Sequence, residues 1–128
     1  MTYLKTGKTI FIEQVNDKTV KEIVSFLNTN GGTIYVGICD DGKAIGVNNT
    51  DNTLRKLLNI LSNQIEPDAI DCVRPEVEFK GDKIIIKINV NKGYSPLYCI
   101  KKYGFSPNGC HYRIGTTCKS MTLEMIRN

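Results

Sequence analysis

The sequence predicts an α+β domain: a mixed β-sheet with two main helices and a short C-terminal helix. Two observations carry this. Apolar residues recur at helical spacing in two long segments. Short β-branched runs surround them in the order β-α-β-β-α-β-β-β-β-α. The chain has 128 residues, 41% hydrophobic and 23% charged. That is an ordinary globular composition and the length of one domain, so residues 1–128 read as a single unit.

Thr9 to Val15 reads as the first strand, with Glu13 near its end. A helix follows, with Asp17 as its N-cap and Thr19-x-x-Glu22 as a capping box. Val20, Ile23, Val24 and Leu27 fall on one stripe, and Asn28-Thr29-Asn30-Gly31-Gly32 ends the helix. Thr33 to Ile38 reads as a buried strand. Asp40-Asp41-Gly42 turns it into a returning strand, Lys43 to Val47, which together form a hairpin. Asp51 caps the second helix, whose apolar face is Leu54, Leu57, Leu58, Leu61 and Ile65, and Pro67 ends it. Val73 to Lys80 and Lys83 to Val90 read as strands joined at Gly81-Asp82. Leu97 to Lys102 and His111 to Ile114 are shorter strands, with a loop from Lys102 to Gly109 between them. Thr122 caps a last helix reaching Arg127. Its abrupt end at Asn128 reads as the N-terminal part of a longer chain.

No apolar run approaches the 18 residues of a membrane span. Met1 to Lys8 lacks a signal peptide's apolar stretch. The expected location is the cytoplasm, with no membrane partner. Five cysteines, none in C-x-x-C spacing, then read as free thiols, mostly buried as small apolar groups. A metal held by Cys99, Cys110, His111 and Cys118 is the alternative reading of the scattered Cys and His.

Charge is unevenly distributed. Residues 1–82 carry 9 Lys/Arg and 12 Asp/Glu, whereas residues 83–128 carry 8 Lys/Arg and one acid, Glu124. A basic final third suggests a polyanionic partner. Within it, Lys101, Lys102, Arg113 and Lys119 are candidate phosphate contacts, and Tyr103 can stack on an unpaired base. The alternative is a solvated edge.

Other motifs exclude chemistries. Gly7-Lys8-Thr9 lacks the upstream glycine of a phosphate loop and precedes a strand, not a helix. Asn30-Gly31-Gly32-Thr33 sits at a helix C-terminus, where capping fits better than phosphate binding. One histidine excludes a histidine acid/base pair, and no G-x-S-x-G elbow is present. Glu13, Asp40 and Asp41 are candidate carboxylates for Mg²⁺ or Mn²⁺. Against this, Asp40 and Asp41 can simply make the turn.

The segment from Ile23 to Ile38, including Asn28-Thr29-Asn30-Gly31-Gly32, resembles the glycine-bearing core of the Schlafen AlbA-type domains. Asp40-Asp41-Gly42-Lys43-Ala44-Ile45-Gly46-Val47 and Tyr112-Arg113-Ile114-Gly115-Thr116-Thr117 are similar to two further blocks of that family. The resemblance runs from about Glu13 to the end. It implies an AlbA/Schlafen-like fold and a DNA-binding domain, often found in transcriptional regulators. Some eukaryotic relatives cleave tRNA and rRNA through a metal-dependent carboxylate triad. In this sequence Glu13 and Asp40 or Asp41 match two of those positions, while the first falls near Lys8. Nucleic-acid binding without a cofactor therefore ranks above cleavage with Mg²⁺ or Mn²⁺. A protein-interaction module is a third reading. A single copy of a fold that relatives use as a clamp suggests a homodimer.

Overall fold

The computed structural model describes residues 7–128, so the stretch read above for a signal peptide lies, up to Thr6, outside the described residues. The helices are α1 (Thr19–Leu27), α2 (Thr50–Asn63) and α3 (Leu123–Arg127). The strands are β1 (Thr9–Ile12), β2 (Gly32–Val36), β3 (Ile65–Glu66), β4 (Val73–Lys80), β5 (Lys83–Val90), β6 (Cys99–Ile100), β7 (His111–Ile114) and β8 (Thr117–Ser120). The expected mixed sheet is present as four strands in the order β1-β2-β5-β4. β1 runs parallel to β2 across the α1 crossover, and the other pairs are antiparallel. Two smaller pairs, β3-β6 and β7-β8, complete the architecture.

Alternation along the strands sets the core. Ile34 and Val36 of β2 and Ile86, Ile88 and Val90 of β5 point to one face. The stripes of α1 (Val20, Ile23, Val24, Leu27) and α2 (Leu57, Ile60, Leu61) pack against them. Burying each such aliphatic side chain contributes about 1.5–3 kcal/mol. A satellite cluster of Cys99, Cys110 and Met121 sits under the C-terminal segments.

The expected Thr33–Ile38 hairpin does not form. β1 already pairs with one edge of β2 and β5 with the other, so no edge is left for a returning strand. Lys43 to Val47 instead curls back as a loop. It keeps one bridge, Ile38 to Ala44, and the N–H groups of Ile45 and Gly46 both donate to the Gly37 carbonyl, at 2.8 and 2.9 Å.

Both helix caps were displaced from the expected residues. Lys18, not Asp17, occupies the α1 N-cap, without a side-chain bond. Asn16 anchors that turn: its carboxamide oxygen accepts from the Lys18 N–H at 2.8 Å, and its own N–H donates to Thr19 Oγ1 at 3.0 Å. Asn49 caps α2 by accepting from the Asn52 N–H at 2.9 Å. Asp51 sits in the first turn, where its charge complements the helix dipole. Thr122 caps α3 as its sequence position implies.

The α1 exit needs its two glycines for space. Gly31 has φ +75°, and a Cβ there would lie 2.6 Å from the Val90 carbonyl oxygen. A Cβ on Gly32 would enter the Phe26 ring and lie 2.7 Å from the Lys8 carbonyl oxygen. Gly32→Ala is expected to destabilise the fold by about 1–3 kcal/mol through overpacking. A thermal melt would check this; an unchanged midpoint would show that Phe26 can move aside.

Candidate nucleic-acid interface

β6 delivers the chain into a loop that presents Lys101, Lys102 and Tyr103. The loop is internally tied. The N–H groups of Tyr103 and Gly104 both donate to the Ile100 carbonyl at 3.0 Å, and the Ile100 N–H donates to the Gly109 carbonyl at 2.8 Å. Ser106 Oγ donates to the Tyr103 carbonyl at 2.9 Å. The Lys101 N–H donates to the Gln64 carbonyl at 2.8 Å, which fixes the loop to the end of α2. Tyr103 and Phe105 are each 49% exposed, and the Lys102 ammonium lies 5.4 Å from the centre of the Tyr103 ring. Phe105 lies two residues beyond Tyr103 in the same loop and carries no charge of its own to mark it in the sequence. Lys119 is exposed on β8 opposite Tyr112, on a separate hairpin.

Arg113 is the correction to this set. Its side chain is 3% exposed, with Nη1 3.0 Å from Glu22 Oε1. Nη1 also donates to Ser25 Oγ at 3.1 Å, and Nη2 donates to the Thr116 carbonyl at 2.9 Å. The guanidinium lies 4.4 Å from the centre of the Phe26 ring. A cation so enclosed docks the β7-β8 hairpin onto α1, and its Nε N–H is buried without a partner among the described residues. The expected capping box is missing because Thr19 is already inside the helix, where its Oγ1 accepts from the Asn16 N–H, and Glu22 pairs with Arg113.

Asn28, the α1 C-cap, completes that docking. Its carboxamide oxygen accepts from the Tyr98 N–H at 2.7 Å. Its Nδ2 donates to the carbonyls of Tyr98 and His111 at 2.9 and 3.0 Å. Thr29 Oγ1 donates to the Ser25 carbonyl at 2.8 Å and accepts from the Arg113 N–H at 3.0 Å. Two residues of the glycine-bearing block are thus joints between α1 and the C-terminal strands.

The carboxylates do not converge. Asp41 accepts from the Cys39 thiol at 2.8 Å and the Lys43 N–H at 3.1 Å. These bonds hold its carboxyl below the usual range and raise the Cys39 thiol. Asp40 is exposed beside it. Glu13 opens instead onto a polar groove lined by Asn48, Asn49, Asn52 and Lys56. Among the described residues, no three His, Cys, Asp or Glu side chains are grouped to hold a metal ion. The residues present therefore do not fit the metal centre implied by the cleaving relatives.

The cysteine set divides in the same way. Cys99 and Cys110 belong to the satellite core. His111 and Cys118 face α1, beside Lys21 and Glu22. Burial pushes the Cys99 thiol up to about 11 and raises those of Cys110 and Cys118. Metals and electrophiles take the thiolate, so these thiols are set up as packing groups.

Arg113→Ala leaves Glu22 without its partner and is expected to cost about 3–5 kcal/mol, read from urea denaturation. A loss under 1 kcal/mol would mean that the pair does not hold the hairpin. His111 adds a pH dependence. Its ring is buried with Nδ1 unpartnered, and burial, then the Lys21 charge, lower its pKa below 6.5. The unfolded chain binds the proton more readily, so His111's contribution to stability is full above about pH 6.5 and falls as the pH drops below it. His111→Gln should flatten stability between pH 6.5 and 5; an unchanged slope would assign it to other groups.

The comparisons agree with this architecture. No curated protein matches the sequence. The DIP2311 protein of Corynebacterium diphtheriae superposes with a TM-score of 0.65 at 18% identity, over 90% of this chain and 22% of that one. The N-terminal domain of a RecG-related protein of Nitrosomonas europaea, named for an ATP-dependent DNA helicase, superposes with a TM-score of 0.59 at 20% identity. It covers 91% of this chain and 82% of that one. This chain therefore spans about a fifth of the first and most of the second. Similarity at these identities establishes the fold. The family Schlafen, AlbA_2 matches residues 7–122, and the chain belongs to that family.

Proposed function

We propose that this domain binds nucleic acid through the Lys101–Phe105 loop, as the binding module of a transcriptional regulator. The observation that carries this is the loop itself: two exposed lysines beside two half-exposed rings on a tied backbone. Lysines neutralise phosphates, and the rings offer faces on which unpaired bases stack. Pre-tying the loop lowers the ordering cost of contact. The family supports the same reading, as does the fold shared with the N-terminal domain of a helicase-named protein.

The late basic residues do not merge into one patch. Lys83 and Lys92 lie at and just beyond opposite ends of β5, and Arg113 is consumed internally. Binding should therefore neutralise few phosphates and be correspondingly mild in its salt dependence. Anisotropy titrations of labelled duplex DNA, single-stranded DNA and tRNA over a range of salt would test this. Lys101→Ala with Lys102→Ala should lower the slope of log K against log salt by roughly 1.4 to 1.8. Tyr103→Ala should weaken single-stranded ligands by about 1–3 kcal/mol and leave duplex binding nearly unchanged. Affinity that ignores salt in the unaltered chain would sink the proposal.

A further inference from the structure

A groove of about 410 Å³ opens between the bend after β1 and the N-terminal half of α2. Glu13, Gln14, Asn48, Asn52 and Lys56 form its polar rim. Its wall is apolar: Val15, Ile45 and Val47. That wall is held from both sides. The Ile45 N–H donates to the Gly37 carbonyl and the Val47 N–H to the Ile84 carbonyl, each at 2.8 Å. The Gly37 N–H in turn donates to the Ile12 carbonyl, at the end of β1, at 2.9 Å. Ile45 keeps 43% of its surface exposed. A fixed aliphatic wall with a polar rim suits a flat ligand that has an apolar face and a hydrogen-bonding edge.

The rim is unspent. Glu13 and Lys56 share the groove, yet neither is engaged in an ion pair among the described residues. The side chains of Gln14, Asn48 and Asn52 likewise have no partner there. Asn49 differs, because its carboxamide oxygen is used in capping α2.

The charges select the ligand. An adjoining groove, also of about 410 Å³, shares Gln14, Val15 and Lys56 with the first and adds Asp17. Two carboxylates against one ammonium repel a phosphate backbone. A neutral base meets no such barrier. A carboxylate only accepts hydrogen bonds and an ammonium only donates them. A base that uses both must carry donors beside an acceptor. Guanine does so on its Watson–Crick edge: N1–H and N2–H₂ give a carboxylate two parallel bonds, and O6 beside them takes an ammonium N–H. Adenine and cytosine each present a single donor group on that edge, so neither can fill both carboxylate oxygens.

The grooves also lead away from the basic loop. The second one ends at Gln64, whose carbonyl accepts the Lys101 N–H. From Gln64 to Asn52 the helix advances about 18 Å at 1.5 Å per residue. A strand held at the loop can therefore lay a base into the groove along α2.

We infer that the Glu13–Lys56 groove is a guanine pocket. Glu13 accepts from N1–H and N2–H₂, Lys56 donates to O6, and Ile45 packs on the ring face. As a pocket for a base of a bound strand it rests on the nucleic-acid reading above, and it adds base selection that the loop does not supply. A free guanine nucleotide carries the same edge, so both sources enter the test.

The test is NMR of the ¹⁵N-labelled chain with thymidine heptamers carrying a central guanine, adenine or cytosine, and with guanosine monophosphate. Anisotropy titrations compare the unaltered chain with Glu13→Gln, a change at an exposed position. The guanine heptamer should shift the side-chain amides of Gln14, Asn48 and Asn52 and bind about 5- to 150-fold more tightly than the adenine heptamer. Glu13→Gln should erase that preference and leave the affinity for the adenine heptamer unchanged. Equal affinity for the three heptamers, or a guanine preference that survives in Glu13→Gln, would overturn the pocket and leave binding at the loop standing. Groove shifts with guanosine monophosphate while no heptamer binds would overturn the strand reading in favour of a free-nucleotide site. Silence with all four probes would overturn both.

Discussion

The C-terminal turn of α1 holds this molecule together. Asn28 presents one carboxamide to three backbone groups, two on Tyr98 and one on His111. Thr29 and Arg113 close the same seam one residue further along. Leaving such buried groups unpaired costs about 1–3 kcal/mol each. The seam joins the segments after β5 to α1, where β6 is only two residues long and β7-β8 forms a pair separate from the main sheet. The seam is polar and directional, so it fixes where the hairpin sits as well as whether it docks.

The second constraint is the position of β2. It is paired on both edges and buried against both main helices. The chain must therefore leave α1 within a few residues and enter the sheet between two strands. Gly31 and Gly32 make that entry sterically available. The loop after β2 cannot return along it, and Asp41 is spent on shaping that loop. The scattered carboxylates thus follow from topology: the segments carrying Glu13 and Asp41 leave the sheet and are then occupied separately.

Much of the fold was legible because periodicity reports burial. The α1 stripe, Leu54, Leu57 and Leu61 of α2 and the alternation of Ile84 to Val90 correspond to real faces, whereas Leu58 is exposed on α2 and Ile65 lies beyond the helix in β3. The hairpin after β2 was misread because turn chemistry at Asp40-Asp41-Gly42 is local, whereas the availability of a strand edge is not. Asp17 and Asp51 were misread as caps because Asn16 and Asn49 offer equally good acceptors nearby. β3 and β8 carry too few apolar residues to show a period. Arg113 could not be told from a surface cation without its partner Glu22, 91 residues away in sequence. The Lys101–Tyr103 set was visible because loops bearing charge beside aromatic rings stay on the surface.

The Asn28 seam has a mechanical consequence. Asn30 lies two residues beyond it in one direction, and Lys101 three residues beyond Tyr98 in the other. The joint therefore ties an arm toward the glycine turn to an arm toward the basic loop through one side chain. Loss of the Asn28 carboxamide would release both arms at once, because the same three hydrogen bonds hold the end of α1 to Tyr98 and His111.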